Sequence, residues 1–572
     1  MRKLHAILPV LFVAVTLSAR STKELHIVTT GDLHGAYFDA SYVGGKPRPS
    51  MMSVKCYVDS LREVAGEENV VLVDAGDCLQ GDNATYYYNY VATDQPHIFP
   101  RMASYMGYDV CVLGNHDIET GHGCYDRVRA ELSAYGIPWL SGNARSPSGD
   151  TYFPEYVILK KAGLKVLVLG YDNANIAAWL SPELWSGMVF QSLVPYVQER
   201  VNILNAKFKP DVTVVVVHSG IGEGDGLQLE NQGLDIFKDM EGVDLLVCAH
   251  DHKPYVNGKS GCFLLNAGSH AGYVGHAVIS FRKRLGRLSK TGLDAETVRI
   301  DKFKVDEEMR ETFSKEFEAV RSFTLRKVGK LEMPLATRDA YKGMSDYVNL
   351  IHTVQMSVPE AEISLAAPLT FNGRVAAGEV VFNDMFTIYP YENQLFVLRL
   401  KGSEIVSALE FSYDGWIASP GEHVLRISDR PDSRTGASHW SFDNRTYNFD
   451  SAAGINYTVD VTKPAGHRVT VSSMADGKSF DPDAWYNVAM TSYRANGGGE
   501  ILLKGAGISS EMLQERTVAR YPEIRELIYK YISGQDTVTP AMVGDRSLIG
   551  SWKFVPEKLV GPIMEKDMGL VF

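Results

Sequence analysis

The sequence predicts two domains: a layered α/β domain followed by an α+β domain of different character. Three observations carry this. At 572 residues the chain is longer than one hydrophobic core normally supports. From Glu24 to about Val305, short β-branched runs alternate with polar loops and with longer segments of helical spacing, which is the pattern of strands joined by helices. Beyond that the alternation stops, and aromatic, Gly-rich and Asx-rich stretches mix strand and helix signals.

The first residues, "MRKLHAILPVLFVAVTLSARSTK", give a basic start at Arg2 and Lys3, an apolar run from Ala6 to Leu17, and then small polar residues. The run is too short to span a bilayer and matches a secretory signal peptide, residues 1–21. The mature chain is therefore expected to be exported, to the periplasm in a Gram-negative cell.

The strand-like runs of the first domain, 22–303, are "LHIVTT", "NVVLVDA", "YDVCVLG", "LKVLVLG", "DVTVVVVHS", "VDLLVCAH" and "CFLLNAG". The charged segment from Lys304 to Ser322 has helical spacing and is read as a linking helix within 304–325. A second domain is expected over 326–532, closed by the helical pattern "YPEIRELIYKYI", and the tail 533–572 shows no clear pattern.

A net charge of −12 argues against a nucleic-acid polymer or an anionic membrane as partner, since both select basic surfaces. Small anions remain open, because bound cations and local arginines make attractive pockets in acidic proteins. All six cysteines fall in the first half without CxxC spacing, which excludes a thiolate zinc site of the usual kind. One or two disulfides are compatible with an exported chain.

The chemistry-bearing side chains cluster on this map. Asp32 and His34 follow the first strand in "TTGDLHG", Asp77 the second in "DAGDCLQGDN", and Asn115 and His116 the third in "LGNHDIETGH". His218 ends "TVVVVHS", and His250 and His252 follow "LLVCAHDH". In an open α/β sheet the loops at the carboxyl ends of parallel strands share one edge, where ligands bind. Carboxylate, imidazole and amide groups from five strand ends therefore meet at one place. These are the donors that hold two divalent cations about 3.5–4 Å apart around a bridging carboxylate. Asp77, just past a Gly-preceded turn, is the natural bridge. Asp32, His34, Asp77 and His252 are assigned to one ion, and Asp77, Asn115, His218 and His250 to the other. Zinc, manganese and similar ions are not separable from such ligands alone.

The ordered set "GDLHG", "GDCLQG", "LGNHD", His218 and "AHDH" resembles the calcineurin-like metallophosphoesterases, and "GDxxQG" with "LGNH" narrows the resemblance to the secreted 5'-nucleotidase family. "AAPLTFNGR", "YPYENQLFVLRLKGSEIVSALE", "TYNFDSAAGINYTVDVT" and "YNVAMTSYRANGGG" are similar to that family's C-terminal domain, nearest to its 2',3'-cyclic-nucleotide 2'-phosphodiesterase/3'-nucleotidase branch. The resemblance implies a four-layer αββα first domain and an α+β substrate domain. It implies that His116 protonates or stabilises the leaving oxygen, oriented by an acidic residue three positions on, here Glu119 where Asp is usual. Asp117 and His122 are left as surface or supporting residues. Ala249 stands where Gly commonly precedes the HxH pair.

By the same resemblance Tyr447 and Tyr493 sandwich a nucleotide base, with Phe449 the rival for the first position; base–aromatic stacking contributes about 1–3 kcal/mol. Asn372, Arg374 and Arg494 are candidate substrate contacts. The implied activity is hydrolysis of a small nucleotide, a nucleoside monophosphate or a 2',3'-cyclic nucleotide, with two divalent metal ions. The alternatives are a nucleotide-sugar or pyrophosphate hydrolase, and a non-catalytic nucleotide binder on the same fold.

Overall fold

The computed structural model describes residues 22–226, 228–284, 287–418, 421–431 and 438–572. The segment read as a signal peptide lies outside the described residues.

The first domain is built on two six-stranded sheets. In one, Thr22–Thr30, Val70–Asp74, Val110–Val112 and Trp139–Leu140 run parallel, and Tyr273–Arg284 closes antiparallel against the first of them. In the other, Leu164–Tyr171, Val212–Val217, Leu245–Cys248 and Cys262–Ala267 are parallel, flanked by antiparallel edge strands. The run "VTVVVV" shows why the sheets stack. Val212, Val214 and Val216 face Ile27, Val71, Val73 and Val110 of the other sheet, while Val215 and Val217 face the helices Leu193–Phe208 and Gly233–Asp239. A strand apolar on both sides belongs between two layers, and each such side chain contributes about 1.5–3 kcal/mol on burial. The helices Met51–Ala65, Ile98–Met106 and His122–Ala134 cover the outer face of the first sheet. The four-layer αββα arrangement follows.

The linking segment is two helices rather than one, Glu307–Thr312 and Ser314–Thr324, broken at Phe313. Met309, Phe313 and Val320 pack into the first domain, which bends the segment around that core, whereas Phe323 packs into the second.

The second domain centres on a five-stranded sheet in the order Ser451–Ala453, Ile363–Ala366, Trp485–Thr491, Gln394–Lys401, Thr517–Glu523. Phe396, Leu398 and Leu400 face the helix Gly402–Trp416; Leu395 and Val397 face the helices Asp346–Gln355 and Ile524–Ser533. The tail, patternless in sequence, is folded. Its strand Gly550–Val555 runs parallel to Ile455–Asp460, and its helix Glu557–Val571 buries Val560, Met564, Met568 and Val571. All six cysteines are free thiols, five of them buried, where they act as small hydrophobes. Among the described residues no helix is long and apolar enough to cross a membrane.

Candidate dinuclear metal site

All the strand ends named from sequence converge. Two clusters form, Asp32 with His34 and His252, and Asp77 with His218 and His250, each with its ligand atoms within 4.8 Å of one another. Asp77 joins them: its Oδ2 lies 3.0 Å from His218 Nε2 and 4.0 Å from His34 Nε2. Asn115 completes the second cluster, its Oδ1 being 2.9 Å from His250 Nδ1. The residues that the sequence assigns to two ions lie in and beside these two clusters.

The backbone is strained to achieve it. Asp32, His34, Asp77, His250 and His252 all have positive φ, between 45° and 76°, a region that costs a non-Gly residue of order 1–3 kcal/mol. Asp77 is aimed by two glycines. A Cβ on Gly114 would stand 2.2 Å from Asp77 Oδ1, and one on Gly76 would stand 2.8 Å from His218 Nδ1. Ala249 is tolerated because its methyl faces Gly31, where a side chain is missing.

The donor chemistry fits cations. His34 Nδ1 is 3.0 Å from Gln80 O, and His218 Nδ1 is 2.7 Å from Ala75 O. A carbonyl only accepts, so both rings carry the proton on Nδ1 and turn the Nε2 lone pair inward. His218 Nε2 and Asp77 Oδ2 are then two buried lone-pair atoms 3.0 Å apart with no hydrogen-bond partner. A cation between them satisfies both, either a bound metal ion or a proton on His218, whose pKa, against the cost of burial, the Asp77 carboxylate raises.

His116 stands beside these groups. Its Nδ1 is 2.6 Å from Glu119 Oε2, and its main-chain N–H donates to Asp77 Oδ1 at 2.8 Å. Burial disfavours the imidazolium, but the carboxylates of Asp77 and Glu119 outweigh it and push the His116 pKa up to about 10. The longer Glu arm therefore completes the pair.

The described fold and site match two known families. The one described as calcineurin-like phosphoesterase matches residues 25–254, and the one described as 5'-nucleotidase, C-terminal domain, matches residues 327–504. The chain carries a calcineurin-like phosphoesterase domain followed by a 5'-nucleotidase C-terminal domain. It is 25% identical over 565 residues to a 2',3'-cyclic-nucleotide 2'-phosphodiesterase/3'-nucleotidase of Salmonella typhimurium, covering 87% of this chain and 85% of that protein. It is 22% identical over 600 residues to a trifunctional nucleotide phosphoesterase of Bacillus subtilis, covering 94% of this chain but only 40% of that longer protein. Among solved structures, a Staphylococcus aureus protein assigned as a 5'-nucleotidase superposes with a TM-score of 0.74 at 18% identity, covering 93% of this chain and 100% of that one; this likeness shows the fold.

The nucleotidase domain corrects part of the substrate reading. Phe449 is buried and stacks on Trp416 with ring centroids 5.2 Å apart and planes 8° apart. It is a core residue. Arg494 is equally structural: 3% exposed, it pairs with Asp450 through Nε at 2.6 Å and also reaches the main-chain oxygens of Tyr447 and Gly498. Tyr447 and Tyr493 do neighbour each other, but edge to face, with centroids 6.2 Å apart and planes at 85°. A base stacked between two faces needs them parallel, so one ring has to turn to admit it. Asn372 is exposed and accepts from Arg338 Nε at 2.7 Å, and Arg374 is exposed beside it.

From sequence, Asp117 and His122 are left as surface or supporting residues, and His270 is not named. Asp117 is fully buried and accepts the main-chain N–H groups of Asp77, Cys78, Leu79 and Gly114 at 2.9–3.0 Å. It clamps the loop that carries Asp77. His122 does lie toward the surface, bound to Asp126 and Ser186. His270, also at positive φ, sets its ring 5.3 Å from that of His34 and 5.9 Å from that of His252. Position beyond a strand end was its only sequence signal.

Proposed function

We propose that the protein is an exported nucleotide phosphohydrolase that releases phosphate from nucleoside monophosphates or 2',3'-cyclic nucleotides. The observation that carries this is the placement of the protonated His116–Glu119 pair against Asp77, the carboxylate that lies between the two ligand clusters. Relatives named for cyclic-nucleotide and 3'-nucleotide hydrolysis, matched across both domains, support the substrate class.

Asp32, His34, Asp77 and His252 would hold one cation, and Asp77, Asn115, His218 and His250 the other. Bound there, two divalent ions supply water activation and neutralisation of phosphoryl charge. The chain's own part is positioning and proton delivery. Glu119 accepts the Nδ1 proton of His116, turning the Nε2–H outward as general acid for the departing sugar oxygen. The Asp77 loop, fixed by Asp117 and Gly114, keeps this acid in register with the ligands. Tyr447 and Tyr493 offer faces for the base, with Asn372 and Arg374 at the rim of the second domain.

Phosphate release is measured from 5'-AMP, 3'-AMP, 2',3'-cyclic AMP and UDP-glucose with manganese, zinc or cobalt added. Activity on the cyclic and 3' substrates is expected. His116→Ala should lower kcat by about 10²–10⁴-fold, the usual contribution of general acid–base catalysis, and Asp77→Asn should lower it further by dismantling both clusters. Hydrolysis of UDP-glucose alone would move the reading to the nucleotide-sugar hydrolases. Silence on every nucleotide would overturn it.

A further inference from the structure

Three imidazoles of the site, those of His34 and His218 buried and that of His250 partly buried, are locked in different ways. His34 and His218 give their outer N–H to main-chain carbonyls, Gln80 O and Ala75 O, acceptors that no side-chain substitution removes. His250 gives its outer nitrogen to a side chain: Nε2 is 3.0 Å from Glu230 Oε1, while Nδ1 faces Asn115. Its ring lies parallel to the indole of Trp179, with centroids 5.4 Å and planes 13° apart. His250 itself sits in the left-handed region, at φ 76°.

Both partners are themselves anchored. Glu230 is placed through its main-chain oxygen, which accepts from Asn173 Nδ2 at 2.9 Å and Ser219 Oγ at 2.8 Å. Trp179 belongs to the short helix Ile176–Trp179, and its oxygen accepts from Asn496 Nδ2 of the second domain at 3.2 Å.

We propose that Glu230 and Trp179 are positioning residues for His250, and that together they set the affinity of the ion held by Asp77, Asn115, His218 and His250. This rests on the two-cation reading of the site. The carboxylate accepts the hydrogen bond of Nε2–H, which leaves the Nδ1 lone pair free for a cation and makes it more basic, while the indole prevents the ring from flipping. Glu230 is half exposed, so this ion is the one whose retention surface residues control.

Chelator-stripped protein is titrated with Mn²⁺ by calorimetry and by the electron paramagnetic resonance of free Mn²⁺, with the melting temperature of each stripped variant as the folding control. Wild type is expected to bind two ions. Glu230→Ala should weaken one of them about 10–100-fold, the usual effect of losing such a partner, and leave the other unchanged. Trp179→Leu should weaken the same ion. Glu230→Gln, which keeps an oxygen for the Nε2 proton, should restore most of the affinity, and this variant carries the test should Glu230→Ala misfold. Excess Mn²⁺ should recover the hydrolytic rate of Glu230→Ala. Two ions bound by Glu230→Ala with wild-type affinity, or both weakened equally, would overturn the inference. No Mn²⁺ bound by wild type would overturn the two-cation reading itself.

Discussion

At the scale of single residues, the site depends on side chains that never touch substrate. Asp117 is the plainest case, since one carboxylate satisfies four main-chain N–H groups of the two loops that present Asp77 and Asn115. Asp117→Asn turns an amide NH₂ toward some of those donors. Leaving buried groups unpaired costs about 1–3 kcal/mol each, so a loss of at least that size is expected in urea unfolding, together with lower metal content by elemental analysis. An unchanged Asn variant would mean the clamp is redundant. His352 makes a separate prediction. Buried between Ser364 Oγ at 2.9 Å and Ser451 Oγ at 3.3 Å, it has its pKa pulled down by burial to about 3. The unfolded chain, with His near 6.5, then binds the extra proton between these values. This contribution is full above pH 6.5 and is lost as pH falls toward 3, at up to about 1.4 kcal/mol per pH unit. His352→Gln should flatten the slope of second-domain stability between pH 6 and 4, read by chemical denaturation at fixed pH steps.

At the scale of elements, the strands were legible because apolar runs of four to eight residues leave little else to form, and so were the metal-type residues, because each stands one to four positions beyond such a run. Three things were not. Asp117 and Glu119 look alike in "NHDIE"; which one points inward is decided by the short helix Asn115–Glu119 and by the loop it meets. The break at Phe313 depends on the first domain's core, which takes Met309, Phe313 and Val320 from both sides of it. Helix Glu557–Val571 contains Pro562 and two glycines, which hide its helical spacing, and its partner strand lies far back in sequence. The glycines that aim the loops yield an element-scale test. Gly114→Ala puts a methyl 2.2 Å from Asp77 Oδ1 and 2.5 Å from Asp77 N, and the main-chain atom cannot withdraw without moving the ligand. Loss of at least 100-fold in kcat/KM is expected, with metal content reduced. Gly569→Ala, whose added methyl meets nothing within 4 Å, should be silent; equal effects in both would show that the contact at Asp77 does not decide the outcome.

At the scale of the whole molecule, the second domain is built into the site as well as placed over it. Asn496 reaches Trp179, Gln394 reaches Ser181 Oγ at 2.9 Å, and Asn383 reaches Asn83 at 3.2 Å. Near this seam Arg525, 2% exposed, binds Glu392 at 2.6 Å and the oxygen of Pro390 at 3.1 Å, with its guanidinium 4.2 Å from the Phe386 ring centre. Burial raises the pKa of Glu392 and Arg525 opposes it, with Glu119 of the first domain close enough to add repulsion. Glu392 also acts across the seam on His116, whose pKa it helps to raise, and Arg525 is the buried cation that holds Glu392 ionised. Arg525→Met strands that charge, and breaking a buried pair from one side typically costs 3–5 kcal/mol. The stranded carboxylate would neutralise, by taking a proton, or open toward water, and opening moves the seam. We expect a destabilisation of about that size in the second domain, and easier proteolysis between 304 and 325. Adding Glu392→Gln should recover most of it, because the double variant no longer strands the carboxylate that Arg525 binds at 2.6 Å. If the double variant is as unstable as Arg525→Met alone, the arginine acts through its packing on Phe386 instead of through Glu392.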